Sequence, residues 1–305
     1  MRLLNKPIYI LLFLFSMLFS GNGKAQQVVF INVAMLDSAY QVNQYTLNAK
    51  ELYGTDHTLE LYNVWINDQY FMLFSVLPDF EQGGLWEEIV IGADHEIMDY
   101  NRFQETITSR IVDGKYFSKD FTFRLLKFEG NRYYQSKWCL FENFRVLQLP
   151  HPLNTPPNTL NLDRTPLTIR NMGREYAKLF PGSRFEINPW EFHFERDDFL
   201  YGYYLSGKMS IKGQTAYRFW TFSDYNMVDG FNVKRGVDRF IFIPGKGIVG
   251  GAYDFYFVFD NPWKPIAREK RYTISQEQWL KNILDEKVML AEELKDIDSK
   301  QTQIP

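Results

Sequence analysis

Apolar and polar positions in this chain follow the two-residue period of strands more often than the helical one. The densest signal is VDRFIFIPGKGIVGGAYDFYFVF, residues 237–259. Residues 240–243 and 255–259 are β-branched or aromatic, and Pro244, Gly245 and Gly247 supply a turn between them, so the stretch predicts a β-hairpin. In its second strand Tyr253, Phe255, Phe257 and Phe259 would share one face and Ala252, Tyr256 and Val258 the other. Both faces are apolar, which predicts a central strand.

The same pattern gives two more hairpins. LELYNVWI and YFMLFSVL flank the turn Asn67-Asp68, and DFTFRLLKF and RYYQSKWCLF flank Glu129-Gly130-Asn131. Strands are also predicted at 190–195, 199–207 and 216–222, and short helices at 100–111 and at 172–180, the latter ended by Pro181-Gly182. Residues 28–53 have no clean period, and their class stays open. At the end of the chain Ser275 and Gln278 form a capping box, and Trp279, Leu280, Ile283, Leu284, Leu290, Leu294 and Ile297 recur at helical spacing. One amphipathic helix over about 276–298 follows, its stripe covered by its own sheet or by a partner. The fold class is mainly β, a β-rich α+β chain with antiparallel sheets in sandwich- or barrel-like parts and a C-terminal amphipathic helix.

Residues 1–25 read as a leader. Arg2 and Lys6 precede an apolar run over residues 8–19, and Gly23 and Ala25 stand three and one positions before a cut that would leave Gln26 first. The run is shorter than the roughly 20 residues of a membrane span, and no later run competes, so the mature chain is expected to have no transmembrane helix. The stretch PHPLNTPPNTLNLDRTP, 150–166, holds five prolines and reads as a linker or long loop. The parts are then the leader (1–25), a β-rich part (26–149), the Pro-rich stretch (150–166), a second β-rich part (167–274) and the helix with its tail (275–305).

Charge narrows the partners. Loss of Arg2, Lys6 and Lys24 with the leader leaves a net charge of about −6, and there is no basic block, so nucleic acid is not an expected partner. Aromatic residues make up 17% of the chain, which suits gaps between sheets and also sugar- or lipid-facing surfaces. Cys139 is the single cysteine, so no intrachain disulfide can form; beside Trp138, Leu140 and Phe141 it reads as a small core residue.

The first candidate for chemistry is WEFHFE. Alternation puts Trp190, Phe192 and Phe194 on one face and Glu191, His193 and Glu195 on the other. The two carboxylates could act as acid and base, or the Glu-X-His-X-Glu row could ligate a metal such as zinc, and a half-solvated strand shows the same alternation. Trp190 and Trp220 are candidate sugar platforms and His193 a candidate ligand contact. Asp94-His95-Glu96 reads as a turn, and PGKGIVGG, with Lys246, as a hairpin turn with a bulge at Gly250-Gly251 rather than a phosphate loop. HEXXH and Gly-X-Ser-X-Gly are absent from the sequence, and no cofactor is implied.

The expectation is an exported binding or structural protein of the cell envelope, periplasmic or extracellular, with an envelope protein or a glycan as partner. A hydrolase acting on a glycan through Glu191 and Glu195 is the first alternative. An outer-membrane β-barrel is the second.

Overall fold

The structure is a computed structural model that describes residues 28–92, 95–112, 119–149, 158–179, 181, 203–221, 236–258 and 266–295. The leader, residues 150–157 of the Pro-rich stretch and the strand expected at 190–195 lie outside these residues.

In chain order the strands are β1 (Val29–Asn32), β2 (Gln41–Asn48), β3 (Thr58–Asn67), β4 (Tyr70–Leu77), β5 (Trp86–Ile89), β6 (Glu96–Met98), β7 (Lys119–Asp120), β8 (Phe123–Glu129), β9 (Arg132–Ser136), β10 (Trp138–Leu147), β11 (Thr159–Asn161), β12 (Tyr203–Ile211), β13 (Gln214–Thr221), β14 (Arg239–Ile243), β15 (Gly247–Ala252) and β16 (Met289–Leu290). The helices are α1 (Val33–Ala39), α2 (Lys50–Tyr53), α3 (Tyr100–Val112), α4 (Ile169–Leu179), α5 (Asp254–Phe257), α6 (Arg268–Arg271) and α7 (Gln276–Leu284).

These strands form three open sheets. The first has the order β5-β9-β8-β1-β6, with β1 parallel to both β6 and β8. The second runs β11-β10-β4-β3-β2, antiparallel except for β10 with β11, and β7 adds to β10. The third, β12-β13-β14-β15-β16, is antiparallel throughout. The fold is therefore β-rich and sandwich-like, and its described strands close no barrel. No described helix is long and apolar enough to cross a membrane.

The second sheet is the middle layer. Leu61, Trp65, Phe71, Leu73, Leu140 and Phe144 point to a core shared with the third sheet, whereas Val64, Met72, Phe74, Cys139 and Phe141 point to one shared with the first. A strand buried on both faces reads as a continuous apolar run, which is why YFMLFSVL carries no alternation. Cys139 lies fully buried in the second of these cores. The first core draws on residues from Tyr45 to Leu294, so the parts on either side of the Pro-rich stretch share one interior. Within that stretch β11 adds in parallel to β10, with Arg145 opposite Thr159.

Both N-terminal hairpins form, β3–β4 and β8–β9, with Gly130 and Asn131 at positive φ in the second turn, but the return strand of the second, expected to run to Phe141, ends at Ser136 and Trp138 starts β10 of the second sheet. The C-terminal hairpin also forms, but its second strand is the glycine-rich β15 rather than residues 255–259, which the sequence marked as the strand. Close approach is the reason. A Cβ on Gly250 would stand 2.6 Å from the Met289 carbonyl oxygen, and one on Gly251 2.8 Å from a Val237 methyl. The aromatic run instead turns into α5, because Asp238 Oδ2 accepts the N–H groups of Asp254 (2.6 Å) and Phe255 (3.4 Å) and so satisfies the start of a helical turn. The bulge is displaced slightly: the register shifts between Ile241 and Phe242 and leaves Val249 as the extra residue.

The terminal helix is shorter than its apolar spacing predicted. Ser275 Oγ accepts from the Gln278 N–H at 3.1 Å, but α7 stops at Leu284 and Glu286 takes a left-handed φ of 52°. The chain returns as β16 on β15 and a 3-10 turn at Glu292–Leu294, whose Glu293 carboxylate accepts the exposed Thr46 N–H of edge strand β2 at 3.0 Å. Trp279, Ile283, Met289 and Leu294 all enter the first core, so the fold's own sheets cover the apolar stripe. Four such side chains at roughly 1.5–3 kcal/mol each match the whole stability of a marginal domain. A chain lacking residues 275–305 should therefore show no cooperative thermal transition by circular dichroism. A melting temperature equal to that of the full chain would contradict this packing.

Candidate functional site

Trp190, Glu191, His193 and Glu195 all lie outside the described residues. Trp220, expected as an exposed sugar platform, is instead buried at 2% exposure. Its ring stacks on Tyr204 with centroids 4.6 Å apart, and its Nε1 donates to the Leu167 carbonyl at 2.8 Å. The segment responsible follows β11: Leu167 also donates its N–H to Leu205 on edge strand β12 at 2.7 Å, which draws it across β13 and closes the ring in.

His95 behaves as a turn residue. Its Nδ1 accepts from the Gly92 N–H at 2.8 Å, and its ring meets Phe30 edge-on at 5.3 Å. The turn after β14 is not an anion nest. The Lys246 N–H goes to the Ile243 carbonyl (3.0 Å) and that of Ile248 to Asn63 Oδ1 (2.7 Å), while the Gly245 carbonyl accepts from Gln41 and Asn43.

The sequence reading missed the polar chain buried between the second and third sheets. Asn63, Ser75 and Glu142 project inward from β3, β4 and β10, each at 1% exposure or less. Asn63 acts as a strand residue by proxy: its amide accepts from the Ile248 N–H and donates to the Ile248 carbonyl at 3.0 Å, serving the backbone beside the bulge. Gly247, at φ 86°, is required there, since a Cβ would fall 2.3 Å from Asn63 Oδ1. Ser75 Oγ meets the Tyr253 hydroxyl at 2.7 Å. Glu142 Oε2 accepts the Val237 N–H at 3.0 Å and its carboxylate takes the Tyr203 hydroxyl. Burial, reinforced by that carboxylate, pushes the Tyr203 phenol well above its ordinary pKa.

A few ångströms along the chain, Arg239 and Asp254 form a buried ion pair, with side chains 2% and 0% exposed. Arg239 Nη1 bonds Asp254 Oδ2 and Nη2 reaches Oδ1 at 3.2 Å, the two-pronged geometry of a guanidinium on a carboxylate. Further bonds tie the pair to the fold. Arg239 Nε donates to the Lys287 carbonyl at 3.2 Å, and the Tyr53 hydroxyl donates to Asp254 Oδ1 at 2.8 Å while accepting the Tyr253 N–H at 2.8 Å. Tyr53 reaches this point because α2 ends at Gly54 (φ 77°) and its carbonyl takes the Thr273 N–H at 2.9 Å. Burial first, and the neighbouring Asp254 second, hold its phenol in the protonated form.

Chemically this chain of groups is a sealed junction. Each carboxylate in it bonds a backbone N–H, a phenol or a guanidinium of the fold, and no group of His, Cys, Asp or Glu among the described residues could hold a metal ion. A hint of it was present in the sequence: Asp238-Arg239 and Asp254 interrupt apolar runs, although charges there read equally as strand ends.

Asp254→Asn should cost about 3–5 kcal/mol, because it strands a buried guanidinium, and Tyr53→Phe about 1–3 kcal/mol through the orphaned Tyr253 N–H. Urea unfolding of the two variants checks the order. Equal midpoints, or an Asn variant as stable as the parent, would contradict the assignment. Comparisons with protein-family models, with curated proteins and with solved structures give no match for this chain.

Proposed function

We propose that this chain is an exported binding or structural protein of the cell envelope. Export is supported by residues 1–25, with their basic start, short apolar run and Gly23-X-Ala25 cleavage pattern. Binding rather than catalysis is supported by a contrast between the interior and the surface. A catalytic carboxylate must come within hydrogen-bond reach of a substrate, whereas the buried carboxylates described, Glu142, Asp238, Asp254 and Glu286, bond groups of the fold itself.

The observation that carries the reading is the aromatic surface of the first sheet. Phe128 on β8 is 55% exposed and packs against Tyr133 on β9, 36% exposed, with ring centroids 4.8 Å apart. Strand alternation places both on the face opposite Phe123 and Leu125, which fill the core. On the second sheet, Trp138 at the start of β10 is 37% exposed. Large rings left in water beside polar side chains are what a surface that recognises a glycan or a protein of the envelope presents.

Intact-mass measurement on exported protein should give a chain that begins at Gln26, allowing for cyclisation of that residue, and a full-length chain in the membrane fraction would contradict export. Replacing Phe128 and Tyr133 together by Ser should abolish retention of the chain on an isolated envelope preparation and leave its melting temperature unchanged. Undiminished retention would remove this face from the reading. Turnover of an envelope glycan that falls by orders of magnitude in Glu191→Gln and Glu195→Gln would favour the hydrolase instead.

A further inference from the structure

We propose that Arg124 and Trp138 anchor a binding site for a small organic carboxylate whose adjoining flat face stacks on the indole. The site deepens the binding reading above and rests on it.

On β8, Arg124 alternates away from Phe123 and Leu125, and among the described residues its guanidinium is hydrogen-bonded through Nη1. Nη1 donates to the carbonyls of Phe121 at 2.7 Å and Phe123 at 2.9 Å, which fixes the plane of the group. Among the described residues Arg124 forms no ion pair, whereas Arg102, Arg132, Arg170 and Arg239 each have a carboxylate, from Glu96, Glu88, Asp285 and Asp254. Among the described residues Glu87 is the carboxylate whose charge reaches Arg124, and its Oε1 is held by Gln135 Nε2 at 2.5 Å. Burial lowers the guanidinium's pKa from its usual value, as desolvation of a cation does when no bonded anion offsets it. The residue is nevertheless only partly buried.

The surroundings specify more than charge. The guanidinium carbon lies 5.5 Å from the centroid of the Trp138 ring, and that ring is partly open to solvent. Tyr256 stands near enough for Arg124 to bias its phenol, with its hydroxyl spent on the Pro78 carbonyl at 2.7 Å. The Phe121 ring meets Phe255 edge-on at 6.1 Å. A pinned guanidinium fork matches the two oxygens of a carboxylate, and a half-exposed indole beside it takes a flat, weakly polar face. A single cation without an ion pair among the described residues answers one negative charge, which favours a carboxylate over a phosphate dianion. Two kinds of molecule share this chemistry, acidic sugars and aryl acids.

Titration of the purified full chain, followed by tryptophan fluorescence and calorimetry, separates them. Glucuronate and benzoate are the probes, with glucose and inorganic phosphate as controls. At least one carboxylate should bind, with glucose and phosphate weaker by roughly tenfold or more. Preference for glucuronate identifies an acidic-sugar site, and preference for benzoate an aryl-acid site. Arg124→Lys keeps the charge but loses the fork, and Trp138→Leu removes the stacking face; each should weaken binding by roughly tenfold or more. Should Arg124→Lys fail to fold, Trp138→Leu carries the test, since its ring is exposed. Absence of binding by both carboxylates at about 10 mM, phosphate or glucose binding as tightly, or undiminished binding by a folded variant would overturn the proposal. Envelope retention through Phe128 and Tyr133 is measured separately, so its survival would show that this site alone had failed.

Discussion

Burial of the central sheet on both faces leaves no water for the polar atoms it carries inward. Each must be answered by the layer across from it, because an unanswered buried polar group costs about 1–3 kcal/mol. Asn63 answers the backbone of Ile248, Ser75 the hydroxyl of Tyr253, and Glu142 the N–H of Val237 and the hydroxyl of Tyr203. Tyr53 does the same from α2 for the Arg239–Asp254 pair. The third sheet is thereby set in register on the second by directional bonds as well as by apolar contact. The glycines of β15 follow from the same constraint, since Gly247 admits Asn63 and Gly250 admits the returning C-terminal strand.

Much of the strand content was legible because period and turn chemistry agreed. LELYNVWI-Asn67-Asp68 and the turn at Gly130-Asn131 gave hairpins that the fold contains. Residues 237–259 were harder to read. Aromatic residues are good strand formers, but a tertiary acceptor on Asp238 and the closeness of β16 reversed the local preference, so Gly247–Ala252 pairs and residues 254–257 coil. The terminal helix misled for a related reason. Leu290 and Leu294 fit the helical spacing of Trp279 and Ile283, yet they reach the same core by way of a turn and a strand.

The site was less legible than the fold. Trp220 carries a wide ring on an amphipathic-looking strand, and only the distant Leu167 carbonyl shows why it is enclosed. Arg124 is not distinctive in FRLLKF, since a basic residue between apolar ones is what any half-solvated strand displays. Its character comes from the lack of an ion-paired carboxylate among the described residues, and that is a property of three dimensions. The sealed junction and the open aromatic surface divide the molecule's polar and aromatic residues between holding it together and meeting a ligand.

The central claim is that residues on both sides of the Pro-rich stretch form one cooperative unit through the second and third sheets. Native-state hydrogen exchange across low denaturant tests it directly. The amides of Tyr253 and Ile248, bonded to Tyr53 and Asn63, should exchange with the same free energy and denaturant slope as those of β4. Exchange of the third-sheet amides through a separate, lower-energy opening, with β4 still protected, would contradict it.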